Sequence, residues 1–275
     1  MSAVLERLRG LQQQSGRAAP TSPPVLPRGE VPEHIRRLLG IRSKAIAPRP
    51  LPPADADRHV AGEQIAPGLF YTEQRAPWPD APAHVDASFA KLGTFAREHL
   101  LCFDTETTGL AGGTGTRAFM IGAADWFADG LRLRQLTTTT MAAEIDMLRH
   151  FAQWLGPQTV LVSYNGKSYD APLLNTRYRL ARLPSPLHGL VHLDLLHPSR
   201  RRWKGRWENC RLGTIERQVL GIVRNDDLPG SEAPRAWLDY LRGGSALNLR
   251  RVAEHNAQDL RSLASLCLHL ASLPP

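Results

Sequence analysis

From residue 84 onward the apolar positions fall into short runs and spaced stripes that alternate along the chain. Leu100–Phe103 is a compact apolar run of the kind a central strand needs, and it leads straight into DTETTGL. AFMIGAADWF (118–127) reads as a second strand, Asp129-Gly130 signals a hairpin turn, and LRLRQLTTTT (131–140) reads as a third strand with Leu131, Leu133 and Gln135 on one face. Ile145, Leu148, Ala152 and Leu155 mark one side of a helix over 142–155. The β-branched run TVLVSY (159–164) predicts a buried strand, and Leu173, Leu174, Tyr178 and Leu180 predict a helix over 171–183. GLVHLDLL (189–196) predicts another strand, and the remainder predicts helices, the last running from about 246 to 272. Asp86–Arg97 also reads as a short helix. A meander of strands followed by alternating helix and strand predicts an α/β fold, a mixed sheet with helices on its faces.

Before residue 84 the texture differs. Most of the 22 prolines fall there, in stretches such as AAPTSPPVLP and APRPLPP that favour extended chain over packed helix. Two short helical patterns interrupt them, at Val4, Leu5, Leu8 and Leu11 and at Ile35, Leu38 and Leu39. The expected organisation is a proline-rich N-terminal arm over 1–83, docked through spots such as Ile65, Leu69, Phe70, Tyr71 and Trp78, and a body over 84–275.

Charge narrows the function. Lys and Arg number 34 against 26 acidic residues, a formal net charge of +8, which favours a polyanionic partner such as nucleic acid or a membrane surface. No apolar run approaches the ~20 residues of a membrane span, and MSAVLERLRGLQQQ lacks the apolar core of a signal peptide. Cys102, Cys210 and Cys267 are odd in number and far apart, which fits neither a disulfide framework nor paired-Cys zinc spacing. The expectation is a reducing, cytoplasmic setting.

Four carboxylates then stand out. Asp104 and Glu106 follow the apolar run two residues apart, so both project from one face of the strand. Side by side they repel unless protons or cations neutralise them. Asp170 stands after strand and turn, just before a helix opened by Ala171 and Pro172, where it reads both as an ordinary cap and as a carboxylate facing the crevice at a sheet's edge. On the last helix, the spacing of Leu249, Val252, Leu263, Leu266 and Leu270 carries the apolar stripe through positions 256 and 259, which are Asn256 and Asp259. A carboxylate on a buried stripe needs a partner. No Arg shares the stripe, so a metal ion is the candidate. His255, one turn before Asp259, is a plausible general base beside such a site. Four carboxylates balance the charge of two Mg²⁺ or Mn²⁺ ions, and an all-oxygen donor set favours such hard cations. Two ions ~3.5–4 Å apart are a recurring device for in-line attack on a phosphodiester.

Other segments suit a nucleic-acid partner. Arg200, Arg201, Arg202, Lys204 and Arg206 interleave with Trp203 and Trp207, a pattern that serves phosphate neutralisation and base stacking, or equally a solvated basic loop with its tryptophans packed inward. Thr107, Thr108, Asn165 and Lys167 lie beside the carboxylates as candidates for touching a substrate backbone, and each is also an ordinary turn residue. Asp194 ends a strand, where it suits a turn, a cap or support of the site. The loop GLAGGTGTR (109–117) loosely echoes a nucleotide-binding fingerprint, but a strand and not a helix follows it, so it reads as the turn between the first two strands of the body.

Taken in order, FDTETTGL, YNGKSYDAPLL and HNAQDL resemble the DEDD exonucleases of the RNase H-like superfamily. The whole run, with GLAGGTGTRAFMIG, VHLDLLHPSRRRW and NDDLPGSEAP, resembles a bacterial family of predicted exonucleases with an RNase H-like domain. The resemblance implies an RNase H-like fold, 3′–5′ exonuclease activity and two divalent metals. It also implies metal-binding roles for Asp104, Glu106, Asp170 and Asp259, with His255 as the base. His255 stands four residues before Asp259, the spacing usual for the tyrosine branch of those enzymes, whereas the histidine branch usually has five. A nucleic-acid-binding module without catalysis, and a structure-specific endonuclease on the same fold, are the rival readings.

Overall fold

The apolar run at 100–103 does form a central strand, and the strand continues past both carboxylates to Thr107. In the computed structural model, residues 56–109 and 115–274 are described. The helical patterns at 4–11 and 35–39 and the interior of the glycine loop lie outside them. The described residues belong to one compact unit, Leu51–Pro275.

Among the described residues nine strands form: β1 (Glu63–Ala66), β2 (Leu69–Pro77), β3 (His84–Asp86), β4 (Thr94–Ala96), β5 (Leu100–Thr107), β6 (Ala118–Phe127), β7 (Gly130–Thr138), β8 (Val160–Ser163) and β9 (Val191–Asp194). Seven of them make one sheet in the order β1-β2-β7-β6-β5-β8-β9, and β3 pairs with β4 apart from it. The β5–β6–β7–β2–β1 part is antiparallel, while β5, β8 and β9 run parallel. The fold is thus a mixed, RNase H-like sheet with helices on both faces. Between β7 and β8 lies α1 (Glu144–Ala152), and α2 (Asp170–Leu180) joins β8 to β9. After β9 come α3 (Leu196–Trp203), α4 (Leu212–Ile215) running on into a wider π-helical turn at Glu216–Leu220, α5 (Ala233–Leu241) and the long α6 (Leu247–Ser272). Among the described residues no helix is long and apolar enough to cross a membrane.

Strand alternation assigns the faces. Leu101 and Phe103 pack with Met147, Leu148 and Phe151 of α1 and Leu174 and Tyr178 of α2. Leu100 and Cys102 pack on the opposite side, with Leu260, Leu263, Leu266 and Leu270 of α6. Each such leucine contributes about 2 kcal/mol by leaving water. Continuing the period of two turns Asp104 and Glu106 toward α6 and Thr105 toward α2.

Three expectations are corrected. The arm does not reach residue 83, because β2 pairs with β7 over its whole length, from Leu69 opposite Thr138 to Pro77 opposite Gly130. Pro67 and Pro77 sit in the β1–β2 turn and at the end of β2, so they bound the strand instead of interrupting it. Residues 86–97 are not one helix but β3, β4 and short 3-10 turns. In α1 the buried stripe is Met147, Leu148 and Phe151, and Ile145 faces outward.

Candidate active site

The site begins with the close approach of α6 to the sheet. Asp104 of β5 lies opposite Gly122 of β6, Gly122 opposite Gln135 of β7, and Gln135 opposite Thr72 of β2, a single row across four strands. Gly122 has no side chain because Asn256 of α6 occupies that space: a Cβ there would overlap Asn256 Oδ1 and come within 2.7 Å of Leu260 Cδ1. Asn256, fully buried, accepts a hydrogen bond from Gln135 Nε2 (2.9 Å) on Oδ1 and donates from Nδ2 to Asp104 Oδ2 (2.8 Å). Thr72 donates to Gln135 Oε1 at 3.3 Å, and Gln135 Nε2 also reaches the carbonyl of Ala253 at 2.8 Å. The row presents Asp104 with a donor, which favours its ionised form.

Asp170 arrives from the other side. It is the first residue of α2, with Tyr169 at the cap position, so its carboxylate is not spent on capping that helix. It accepts instead from the Thr105 hydroxyl. The loop before it is held by Asp194 at the end of β9, whose carboxylate accepts from the backbone N–H groups of Asn165 (2.8 Å), Lys167 (3.1 Å) and Leu196 (3.0 Å). Asn165 itself takes a positive φ of 69°.

The four carboxylates share one electrostatic environment. Burial and then the charges of Asp170, Asp259 and Glu106 hold the Asp104 carboxyl well above the usual range. Glu106, 7% exposed, is pushed up to about 8, by burial first and then by Asp259 and Asp170. Burial raises Asp170 to about 6 against the Thr105 hydrogen bond, and raises Asp259 against His255 and Arg224. In the unfolded chain such groups titrate near ~4, so between ~4 and about 8 the unfolded chain binds fewer protons than the folded one. Their contribution to stability is therefore fully present below ~4 and is lost as pH rises through about 6 and about 8. In EDTA, thermal melting across this window should show a steeper fall with rising pH for the parent than for Glu106→Gln. Equal slopes would remove Glu106 from the cluster.

Asp259 has a protein partner after all. Arg224, from the segment between α4 and α5, pairs with Asp259 Oδ1, with Glu216 through Nε (2.8 Å) and Nη2, and with Asp227 Oδ2 through Nη1 (3.1 Å). Sequence periodicity missed it because the arginine belongs to another segment and not to the stripe of α6. Ser262 of α6 donates to Glu216, closing the group beneath. His255 faces the same cluster: its Nδ1 lies 2.8 Å from Asp227 and its Nε2 3.7 Å from Asp259 Oδ2.

The other substrate candidates divide. Asn165, Lys167 and Arg200 are exposed. Thr107 donates to the Gly109 carbonyl (2.9 Å) and Thr108 accepts from the Arg117 N–H (3.0 Å), so both hydroxyls serve the base of the β5–β6 loop. Trp203 is 6% exposed and packs against Trp207 and His269, which corrects its reading as a stacking platform. Leu196 and Ser199 at the start of α3 are buried, the Ser199 N–H donates to the Leu195 carbonyl at 3.1 Å, and Arg202 donates to the Pro274 carbonyl at 3.0 Å.

The family model for the RNase_H superfamily (RNase_H_2) matches residues 101–271, more than half of the chain, and that span includes Asp104, Glu106, Asp170, His255 and Asp259. The chain belongs to the RNase H superfamily. The uncharacterized protein YprB of Bacillus subtilis (strain 168) is 37% identical over 178 residues, which are 64% of this chain and 43% of that protein. The chain thus spans less than half the length of that relative. Among solved structures, a family B DNA polymerase from the hyperthermophilic archaeon Pyrobaculum calidifontis is 17% identical with a TM-score of 0.47, covering 60% of this chain and 24% of the polymerase.

Among the described residues no three His, Cys, Asp or Glu side chains stand in the arrangement of a metal site. The chemistry of the set nevertheless fits a hard cation: Asp104, Glu106, Asp170 and Asp259 are carboxylates drawn together from β5, α2 and α6, with raised pKa values that a nearby positive charge would lower. Arg224 supplies one positive charge to a neighbourhood that also holds Glu216 and Asp227. Of the residues here that periodicity alone did not single out, Asp227 lies in the stretch NDDLPGSEAP, whereas Glu216 and Thr105 carry no distinguishing pattern; Gln135 is the polar residue that strand alternation places on the face of Leu131 and Leu133.

Proposed function

We propose that this chain is a divalent-metal-dependent nuclease that hydrolyses phosphodiester bonds of nucleic acid from the 3′ end. The observation that carries the proposal is that Asp104, Glu106, Asp170 and Asp259, distant in sequence, are buried near enough to one another for burial and neighbouring carboxylates to raise their pKa values. These four would hold two Mg²⁺ or Mn²⁺ ions, which supply Lewis acidity for activating water and stabilising the leaving oxygen. The chain's own residues do the rest. Asn256 holds Asp104 in place through the Gln135 row. Asp194 fixes the loop that delivers Asp170 and exposes Asn165 and Lys167 toward a phosphate backbone. His255, with Nε2 toward Asp259, accepts the proton of the attacking water while the phosphorus–ester oxygen bond breaks. The +8 charge and exposed Arg200 suit a polyanion. The three thiols are free, in keeping with a cytoplasmic setting.

One observation favours a second reading, a nucleic-acid-binding module without catalysis: Arg224 already pairs with Asp259. A single experiment separates the two. Single- and double-stranded DNA and RNA, labelled at either end, are incubated with the full chain in Mn²⁺ or Mg²⁺ and in EDTA. Mononucleotides released from a 3′ label only with metal are expected. Binding without cleavage under every metal condition would leave the silent module. Internal cuts would replace the exonuclease mode with an endonuclease.

A further inference from the structure

We infer that Asp227 is a positioning residue that fixes His255 in the tautomer with its proton on Nδ1, leaving Nε2 as the proton acceptor; its part in turnover rests on the nuclease reading above. His255 Nδ1 lies 2.8 Å from both Oδ1 and Oδ2 of Asp227. An ionised carboxylate only accepts hydrogen bonds, so a contact of this length requires the proton on Nδ1. Arg224 Nη1 stands 3.2 Å from the same nitrogen and 3.1 Å from Asp227 Oδ2. A guanidinium has donors alone, so it cannot share the Nδ1 proton, and its own proton goes to Asp227. The reverse tautomer would set the Nδ1 lone pair against the carboxylate at 2.8 Å with no hydrogen between them. In the neutral ring Nε2 then keeps its lone pair and faces the carboxylate cluster, 3.7 Å from Asp259 Oδ2.

The segment around Asp227 is built to hold this pairing. Leu228 packs with the core between β6, α5 and α6. Arg251 of α6 donates to the Asp226 carbonyl at 2.8 Å, tying the segment to the helix that carries His255. Gly230 passes the imidazole close enough that a Cβ there would meet Nε2 at 3.5 Å. The DLPG stretch thus wraps the ring, with the carboxylate at one nitrogen and a residue without a side chain beside the other. A histidine on a helix next to carboxylates would otherwise choose its tautomer by chance contacts with solvent.

The test uses the full chain and two readouts. Nitrogen-15 NMR of the histidine rings, with His255 assigned by its loss in His255→Ala, should show Nδ1 protonated in the parent and a mixture of tautomers in Asp227→Ala. In cleavage assays Asp227→Ala should lower kcat by about tenfold or more with KM changed less than about twofold, and should cost nothing further in a His255→Ala background. The near-isosteric Asp227→Asn, which keeps an acceptor oxygen, should fall between parent and Asp227→Ala. An Nε2-protonated His255 in the parent overturns the proposal, and so does an equal loss from Asp227→Ala with and without His255. A parent that cleaves nothing sinks the nuclease reading, while the NMR result still decides the pairing.

Discussion

Asp104→Asn should leave a folded protein that no longer cleaves nucleic acid. The amide oxygen can still accept from Asn256 Nδ2, so the row from Thr72 through Gln135 to β5 survives. What disappears is a negative charge at the centre of the cluster, the charge that Asp170, Asp259 and Glu106 all act upon. The expected loss in kcat is on the order of a thousandfold or more, roughly 4 kcal/mol of transition-state stabilisation. The same substitution should raise the melting temperature of the metal-free chain at neutral pH, because it removes the cost of burying an ionisable carboxyl and then the repulsion from its neighbours. A stabilised, inactive protein is the signature of a group placed for chemistry and not for packing. Activity within tenfold of the parent, with metal-free stability unchanged, would show that Asp104 belongs to the structure alone.

Gly122→Ala should be the most damaging single methyl group in the sheet. The added carbon would overlap Asn256 Oδ1 and crowd Leu260 Cδ1, and both belong to the buried face of α6. Overpacking of this kind costs about 2–3 kcal/mol, a fall of roughly 5–10 °C in melting temperature for a chain of this size. Cleavage should fall as well, since pushing α6 outward carries Asn256, His255 and Asp259 away from β5. Combining it with Asn256→Ala frees space, so part of the melting temperature should return while activity does not. If Gly122→Ala melts with the parent, the close approach of helix and sheet is not what positions the site.

Much of this arrangement was legible before any coordinates, and the parts that were not have physical causes. The two-residue spacing of Asp104 and Glu106 revealed their shared face because a strand has a period of two. The stripe of α6 exposed Asn256 and Asp259 because a helix 26 residues long averages out local noise. What escaped was whatever depends on segments without periodicity. Strand β2 hid behind its prolines, which proved to lie at its ends. The segment at 221–229, which brings Arg224 and Asp227 to His255, is irregular backbone, and its role comes from where it crosses α6. Trp203 misled for the opposite reason: its neighbours in sequence are cations, while its neighbours in space are Trp207 and His269.

The dependence of the cluster on α6 bears on synthesis in the cell. Asp259 and His255 come from the helix at Leu247–Ser272, whereas Asp104 and Glu106 are made some 150 residues earlier. A nascent chain emerging beside ribosomal RNA therefore carries only part of the donor set. On the nuclease reading, the centre is complete only once that helix has been made and has docked over Gly122.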